Sequence, residues 1–248
     1  MVRHALALAA LLLLGGTAAR AAEVCAGLPA RQPLPREARP EPLGDQSWLL
    51  RVTELERLAL GGEAQPAQML FLGDSLVQAW APLVFEHFYG DRQAVNFGAG
   101  GDTTQSLLWR LSRLPLGSGL KPRLAVVLVG TNNTAAGSRP EDTALGIAEV
   151  VRTIRRRSPQ TRVLLVGLLP RGGLASEPMR AVNDRVNALV AGCADGQTVF
   201  YTAPGSMVVD RAGRLSDQVA YDHLHLTWLG YGILSAALEP QIRRLLWH

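Results

Sequence analysis

The chain has 248 residues, 48% of them hydrophobic, and a formal net charge of +4. This length fits one α/β domain, and the hydrophobic fraction excludes a disordered protein. Every basic residue except Lys121 is an arginine, and only residues 155–157 form a basic cluster. No basic face for nucleic acid is therefore predicted.

The two cysteines, Cys25 and Cys193, are too few for a zinc ribbon or a disulfide scaffold. In an oxidising compartment they could form one bridge. They could equally stay unpaired, as two small hydrophobic residues. Their spacing does not decide between a bridge and unpaired cysteines.

The first residues follow the pattern of a secretory signal peptide. Arg3 precedes an apolar run at residues 5–14, and small residues end in Ala19-Arg20-Ala21. We predict cleavage after residue 21 and a secreted or periplasmic protein. The apolar run is shorter than the ~20 residues that span a bilayer, and no later segment is long enough, so no transmembrane span is predicted. Residues 22–46, rich in Pro and Arg, predict an irregular lead-in to a domain over residues 47–248.

Within this domain, short apolar runs alternate with longer amphipathic segments. The runs predict strands buried on both faces, at 69–72, 94–97, 124–129, 163–168 and 199–201. The amphipathic segments predict helices at 48–60, 104–113, 141–157, 177–194 and 227–246. This alternation predicts an α/β fold with a central parallel sheet of about five strands. Ligands in such folds bind at the carboxyl ends of the strands.

A candidate nucleophile, Ser75, follows the first predicted strand in the sequence Gly73-Asp74-Ser75-Leu76. A serine at a strand-to-helix corner has an exposed hydroxyl, as nucleophilic catalysis requires. Ser75 alone could equally be a helix N-cap. The motif differs from the G-x-S-x-G elbow because Val77 replaces the second glycine.

The next two loops offer hydrogen-bond donors. The glycine-rich loop at 96–102 could direct a backbone N–H at an anion, or could be a tight turn, and Thr103 breaks the dinucleotide-binding pattern. Asn132 follows the third predicted strand. A side-chain amide there could donate to a developing oxyanion, although asparagine is also a common turn residue.

The last loop contains Asp222, His223 and His225. Asp222 and His225 are three residues apart, so the carboxylate can reach the imidazole Nδ1 and select its tautomer. We predict no metal at the two histidines, since zinc sites need three or four ligands and no further His or Cys is nearby.

Together these loops resemble the SGNH (GDSL) hydrolases, and within them the catalytic subunits of brain-type platelet-activating-factor acetylhydrolase. The matching segments are residues 71–78, 96–101 with 108–111, 129–133, 167–172, and 224–226 with 229–231. The resemblance implies a flavodoxin-like three-layer sandwich without a cofactor. It also implies Ser75 as nucleophile, His225 as general base and Asp222 as its partner. The oxyanion hole would be the N–H groups of Ser75 and Gly101 with the Asn132 side chain.

The resemblance implies a serine esterase that removes short acyl groups, above all acetyl, and the predicted signal peptide implies that this esterase is exported. Leu76, Thr131 and Leu224 each adjoin one of these site residues and would face the acyl group, although the two leucines could simply pack in the core. The alternatives are a lysophospholipase or thioesterase, and a non-catalytic carbohydrate- or lipid-binding module. The brain-type enzymes are cytosolic, so the predicted export leaves the alcohol half open among small-molecule, glycan and lipid esters. The sequence also does not decide whether the chain forms a homodimer.

Overall fold

The computed structural model describes residues 24–28 and 31–247. The predicted signal peptide, residues 1–21, lies outside them, so its cleavage stays a prediction. Within the described residues, no helix has both the length and the apolar character to cross a bilayer.

The centre of the fold is a parallel sheet of five strands in the order β2-β1-β3-β4-β5. The strands are β1 (Met69–Gly73), β2 (Ala94–Gly98), β3 (Leu124–Leu128), β4 (Arg162–Val166) and β5 (Val199–Thr202). The five predicted strands are therefore confirmed within two residues at each end. The chain leaves β1 toward β2 and then returns to β3 on the other side, which opens a crevice at the carboxyl ends of β1 and β3.

Eight helices surround the sheet in the described chain: α1 (Gln46–Leu60), α2 (Ser75–Gln78), α3 (Pro82–Tyr89), α4 (Thr104–Arg113), α5 (Thr131–Ala135), α6 (Pro140–Arg157), α7 (Pro178–Val190) and α8 (Trp228–Trp247). The predicted helices do not include the short helices α2 and α5, nor α3. Helix α3 is also short and rich in aromatic residues, which have no strong helix preference, and proline at its first position is its main start signal.

Alternate residues of each strand bury on opposite faces of the sheet. Leu70 and Leu72 of β1 pack with α1, α4, α6 and α7, whereas Met69 and Phe71 pack with α3 and α8. Both faces are covered, which explains why the strands are continuously apolar. The result is the predicted three-layer α/β sandwich.

Residues 31–45, which we call the N-terminal arm, are irregular apart from a 3₁₀ turn at Arg36–Ala38. The arm packs on α4 and α6: the Thr104 hydroxyl donates to the Glu37 carbonyl at 2.8 Å, and Arg31 pairs with Asp142. Just before it, Cys25 forms a disulfide with Cys193, which decides between the two alternatives left by the sequence.

Candidate active site

Ser75 is the first residue of α2, directly beyond the carboxyl end of β1. The chain turns there because Asp74 caps the helix, its carboxylate accepting from the Leu76 N–H at 2.9 Å. Gly73 lies so close to β3 that a Cβ would fall 2.0 Å from the Leu128 carbonyl oxygen. Only glycine fits this position, so the turn that presents Ser75 depends on it.

Asp74 is buried, and its Oδ2 has no hydrogen-bond partner among the described residues. Burial raises the pKa of Asp74 to about 7, although the bond from the Leu76 N–H opposes the rise. The role of Asp74 is thus to cap a helix. A different aspartate contacts His225.

That aspartate is Asp222. Ser75 Oγ lies 2.9 Å from His225 Nε2, and His225 Nδ1 lies 2.7 Å from Asp222 Oδ2. The other carboxylate oxygen accepts from the backbone N–H groups of His225 at 2.7 Å and Leu224 at 3.0 Å. Burial by itself would raise the pKa of Asp222, but the hydrogen bonds from His225 and Leu224 outweigh it and lower the pKa below its usual value. The carboxylate is thus ionised at neutral pH and can orient the imidazole.

Tyr221 supports this histidine and was not predicted from the sequence. Its ring stacks on the His225 imidazole, with centroids 5.9 Å apart and planes at 18°. Its N–H also donates to the His225 carbonyl at 3.1 Å.

His223, by contrast, has a different hydrogen-bond partner. Its Nδ1 is 2.9 Å from the Leu215 carbonyl oxygen, and its φ of 59° is in the left-handed region. Of the two histidines in this loop, the structure brings only His225 to Ser75.

The loop after β2, which carries the predicted oxyanion donor Gly101, is close to both Ser75 and Asn132. A Cβ on Gly100 would lie 3.9 Å from the Ser75 Cβ, so the loop after β2 passes beside the serine. Gly101 follows with a φ of 80°, and neither its N–H nor that of Ser75 has an acceptor in the described chain. Asn132 Nδ2 donates to the Asp102 carbonyl at 2.8 Å, which brings its amide to the same loop.

Asp102 fixes this loop through buried hydrogen bonds. Its side chain is 0% exposed; Oδ2 accepts from Arg110 Nε at 2.8 Å and also from Nη2. Oδ1 accepts from Trp48 Nε1 at 2.7 Å and Ser106 Oγ at 2.9 Å. All the donors are fixed on α1 and α4, so the turn that carries Gly101 is held rigidly.

Arg110, 2% exposed, extends this anchor to the strands. Its guanidinium donates to the Phe97 carbonyl at 3.0 Å and the Gly73 carbonyl at 3.3 Å, at the ends of β2 and β1. This role of Arg110 was not predicted from the sequence. The available signal was an arginine on the apolar face of a helix, beside Leu107 and Leu111.

The three residues predicted to face an acyl group differ in exposure. Leu76 is 1% exposed and belongs to the core between the sheet and α8. Thr131 is 2% exposed, and its carbonyl and hydroxyl oxygens accept from Arg171 Nη1 at 3.1 and 3.2 Å. Only Leu224 is half-buried. The acyl pocket formed by all three stays a prediction.

Comparison with known proteins shows the family of this chain. The family described as GDSL-like lipase/acylhydrolase matches residues 71–233. Platelet-activating factor acetylhydrolase IB subunit alpha1 from Bos taurus is 37% identical over 222 residues, covering 88% of this chain and 90% of that protein.

Two solved structures share the fold. A GDSL-like lipase from Bacteroides thetaiotaomicron superposes with a TM-score of 0.61 at 23% identity, covering 78% of this chain and 98% of its own. A carbohydrate acetylesterase from Sinorhizobium meliloti has a TM-score of 0.55 at 20% identity, with coverage of 71% and 98%.

Proposed function

The chain belongs to the GDSL-like lipase/acylhydrolase family and is a carboxylic ester hydrolase, and we propose that it removes short acyl groups, above all acetyl, with Ser75 as nucleophile. One observation carries this proposal: Ser75 Oγ lies 2.9 Å from His225 Nε2, and Asp222 holds the opposite ring nitrogen at 2.7 Å. Nucleophile, base and orienting acid thus form one hydrogen-bonded series, as acyl transfer requires.

In the first step, Ser75 Oγ attacks the ester carbonyl carbon while His225 Nε2 takes its proton. Asp222 keeps the other proton on Nδ1 and stabilises the imidazolium that forms. The carbonyl oxygen becomes an oxyanion, which the N–H groups of Ser75 and Gly101 and the Asn132 amide stabilise. Collapse breaks the bond to the alcohol, which leaves with the proton from His225, and an acyl-serine forms.

In the second step, water attacks the acyl-serine while His225 takes a proton from the water. The same donors stabilise the second oxyanion. Its collapse releases the carboxylic acid and returns the proton from His225 to Ser75 Oγ. The two steps use only protein groups and water.

The names of the relatives support a short acyl group, because those at about 36% identity are acetylhydrolases. A strict limit on chain length has to come from steric exclusion, since each methylene that a pocket accepts changes discrimination by only about 1–3 kcal/mol.

A groove between α3 and α8 favours a second candidate, a hydrolase of long acyl chains. The groove holds about 490 Å³ and is lined almost entirely by apolar side chains: Leu83, Val84, His87, Phe88, Trp228, Leu229, Ile233 and Ala236, with Gly232. A p-nitrophenyl ester series from acetate to decanoate distinguishes the candidates. We expect kcat/KM to be highest for acetate, and a maximum at octanoate or beyond would select the second candidate.

The nucleophile is tested by active-site labelling. A fluorophosphonate probe should label the wild type, and Ser75→Ala should lose both the label and p-nitrophenyl acetate turnover. Ser112→Ala, which removes an exposed hydroxyl on α4, is the matched control and should retain both. Labelling of Ser75→Ala would place the nucleophile elsewhere. Absence of turnover in the wild type would favour a non-catalytic binding module.

We also propose export, on two observations: the signal-peptide pattern of residues 1–21 and the Cys25–Cys193 disulfide. Disulfides persist in oxidising compartments and are rare in the cytosol. The mass of the protein recovered from the periplasm or medium should correspond to an N-terminus at Ala22. Full-length protein confined to the cytosol would contradict this proposal.

A further inference from the structure

We propose that the alcohol half of the substrate is a small polyhydroxylated group, as in an acetylated monosaccharide, and that Arg171 and Glu177 bind its hydroxyls. This inference rests on the proposed esterase function and specifies its substrate class.

The binding site is a cavity of about 270 Å³ beside the catalytic loop, which we call the alcohol cavity. It is lined by Arg171, Gly172, Glu177, Met179, Asp222, His223 and Leu224. Asp222 and Leu224 precede His225 on the same loop, and Asp222 Oδ2 lies 2.7 Å from His225 Nδ1, so the cavity adjoins the residue that would protonate the leaving alcohol. The volume is below the ~300–1,000 Å³ of pockets for drug-sized ligands, so it suits a group about as large as one sugar ring.

Arg171 links this cavity to the oxyanion side of the site. Its Nη1 donates to Thr131, the residue before Asn132, which fixes the guanidinium in place. Its Nε and Nη2 groups have no acceptor in the part of the chain that the structure describes. They are therefore available to donate to ligand oxygens.

The loop that carries Arg171 is already ordered for binding. Arg180 donates to the carbonyl oxygens of Arg171 at 2.9 Å and Gly172 at 2.7 Å, and the Gly172 N–H donates to the His223 carbonyl at 2.9 Å. Pre-organisation of this kind lowers the entropic cost of binding.

Glu177 supplies the complementary acceptor. Its side chain lies directly against Gly172, where a Cβ would fall 2.4 Å from Glu177 Cγ. Its carboxylate has no side-chain partner within residues 24–28 and 31–247, and it lines the same cavity. Hydroxyl groups of a ligand can donate to it.

His223 adds a third polar group. The Leu215 carbonyl can only accept, so the proton of the neutral imidazole lies on Nδ1 and Nε2 is an acceptor. Its left-handed backbone costs free energy in a residue other than glycine, and such strain is concentrated at functional sites.

This combination of groups selects the ligand chemistry. An aliphatic alcohol would cover the Glu177 carboxylate and the Nε and Nη2 groups of Arg171 without pairing with them, which is unfavourable. A carboxylate would be repelled by Glu177 and Asp222. A quaternary ammonium group is normally bound by an aromatic cage, and no aromatic ring other than His223 is among the lining residues. Hydroxyls both donate and accept, so several of them on a small ring satisfy the arginine and the glutamate together.

The test compares kcat/KM for an acetylated monosaccharide, for hexyl acetate and for an acetylated glycerophosphocholine. The wild type should prefer the sugar acetate. Arg171→Met and Glu177→Gln should each lower the ratio of kcat/KM for sugar acetate to that for hexyl acetate by about tenfold or more, since each loses a hydrogen bond to a charged group. Arg211→Met, at an exposed position outside the cavity, is the control and should leave the ratio unchanged.

Binding supplies an independent measurement. Ser75→Ala protein should bind the intact sugar acetate in calorimetry, and Arg171→Met in that background should weaken binding about tenfold. A wild-type preference for hexyl acetate or for the phosphocholine ester would overturn the inference, as would equal losses on all three esters. If p-nitrophenyl acetate hydrolysis is itself absent or independent of Ser75, the proposed function fails instead.

Discussion

Replacing Arg110 by methionine should destabilise the protein by about 3–5 kcal/mol, the usual cost of removing one partner from a buried ion pair. Methionine keeps much of the side-chain length and volume. It leaves the Asp102 carboxylate, 0% exposed, with only Trp48 and Ser106 as side-chain donors. It also removes the bonds that the carbonyl oxygens of Phe97 and Gly73 accept from Arg110, although Gly73 still accepts from the Ala99 N–H.

The magnitude is set by the unpaired carboxylate rather than by lost packing. A second variant, Arg110→Met with Asp102→Leu, removes both charges and should recover much of the lost stability, because an apolar pair of similar volume is often as stable as a buried ion pair. Urea unfolding at pH 7 measures both. A wild-type stability of about 5–15 kcal/mol leaves the single variant folded at low temperature.

Catalysis should respond separately from stability. Arg110 holds the ends of β1 and β2, which carry Ser75 and the loop of Gly101, so kcat for p-nitrophenyl acetate should fall more than KM changes. The double variant should recover stability more fully than kcat. A loss below 1 kcal/mol in Arg110→Met, or full recovery of kcat in the double variant, would refute this reasoning.

Four further results follow from the site. His225→Ala should abolish turnover, whereas His223→Ala should lose far less, because its imidazole does not contact Ser75; equal losses would overturn the assignment of the base. Asn132→Ala should retain the fold and lower kcat by about 10²–10³-fold, the usual effect of removing one oxyanion donor, and an unchanged kcat would leave Asn132 as a turn residue. The pKa of Asp74 is about 7 in the folded protein against ~3.9 in an unfolded chain, so between these pH values Asp74 takes up a proton on folding, and stability falls as pH rises from about 4 to 7. Asp74→Asn should reduce the change in the free energy of unfolding between pH 5 and pH 8, measured in urea. The same change in the wild type and the variant would contradict the raised pKa. Leu224→Ala should raise kcat/KM for butyrate relative to acetate esters, and a uniform loss on all chain lengths would argue against a short acyl pocket.

Much of the fold was readable from local sequence. Strands covered on both faces need apolar residues throughout, so five such runs between amphipathic segments predict a parallel sheet and its helices. The candidate site was readable for the same reason, because parallel strands bring their carboxyl-end loops together. Asp222 and His225 are only three positions apart, so a single turn of the chain brings the carboxylate to the imidazole.

The tertiary structure alone decided which distant groups meet. Asp102 accepts from Trp48 Nε1, 54 positions away, and Arg110 donates to the Gly73 carbonyl, 37 positions away. The Cys25–Cys193 bridge joins residues 168 positions apart, and the N-terminal arm packs on α4 and α6. These contacts depend on the order of strands and the packing of helices, and local residue preferences carry no information about partners so far apart in the sequence.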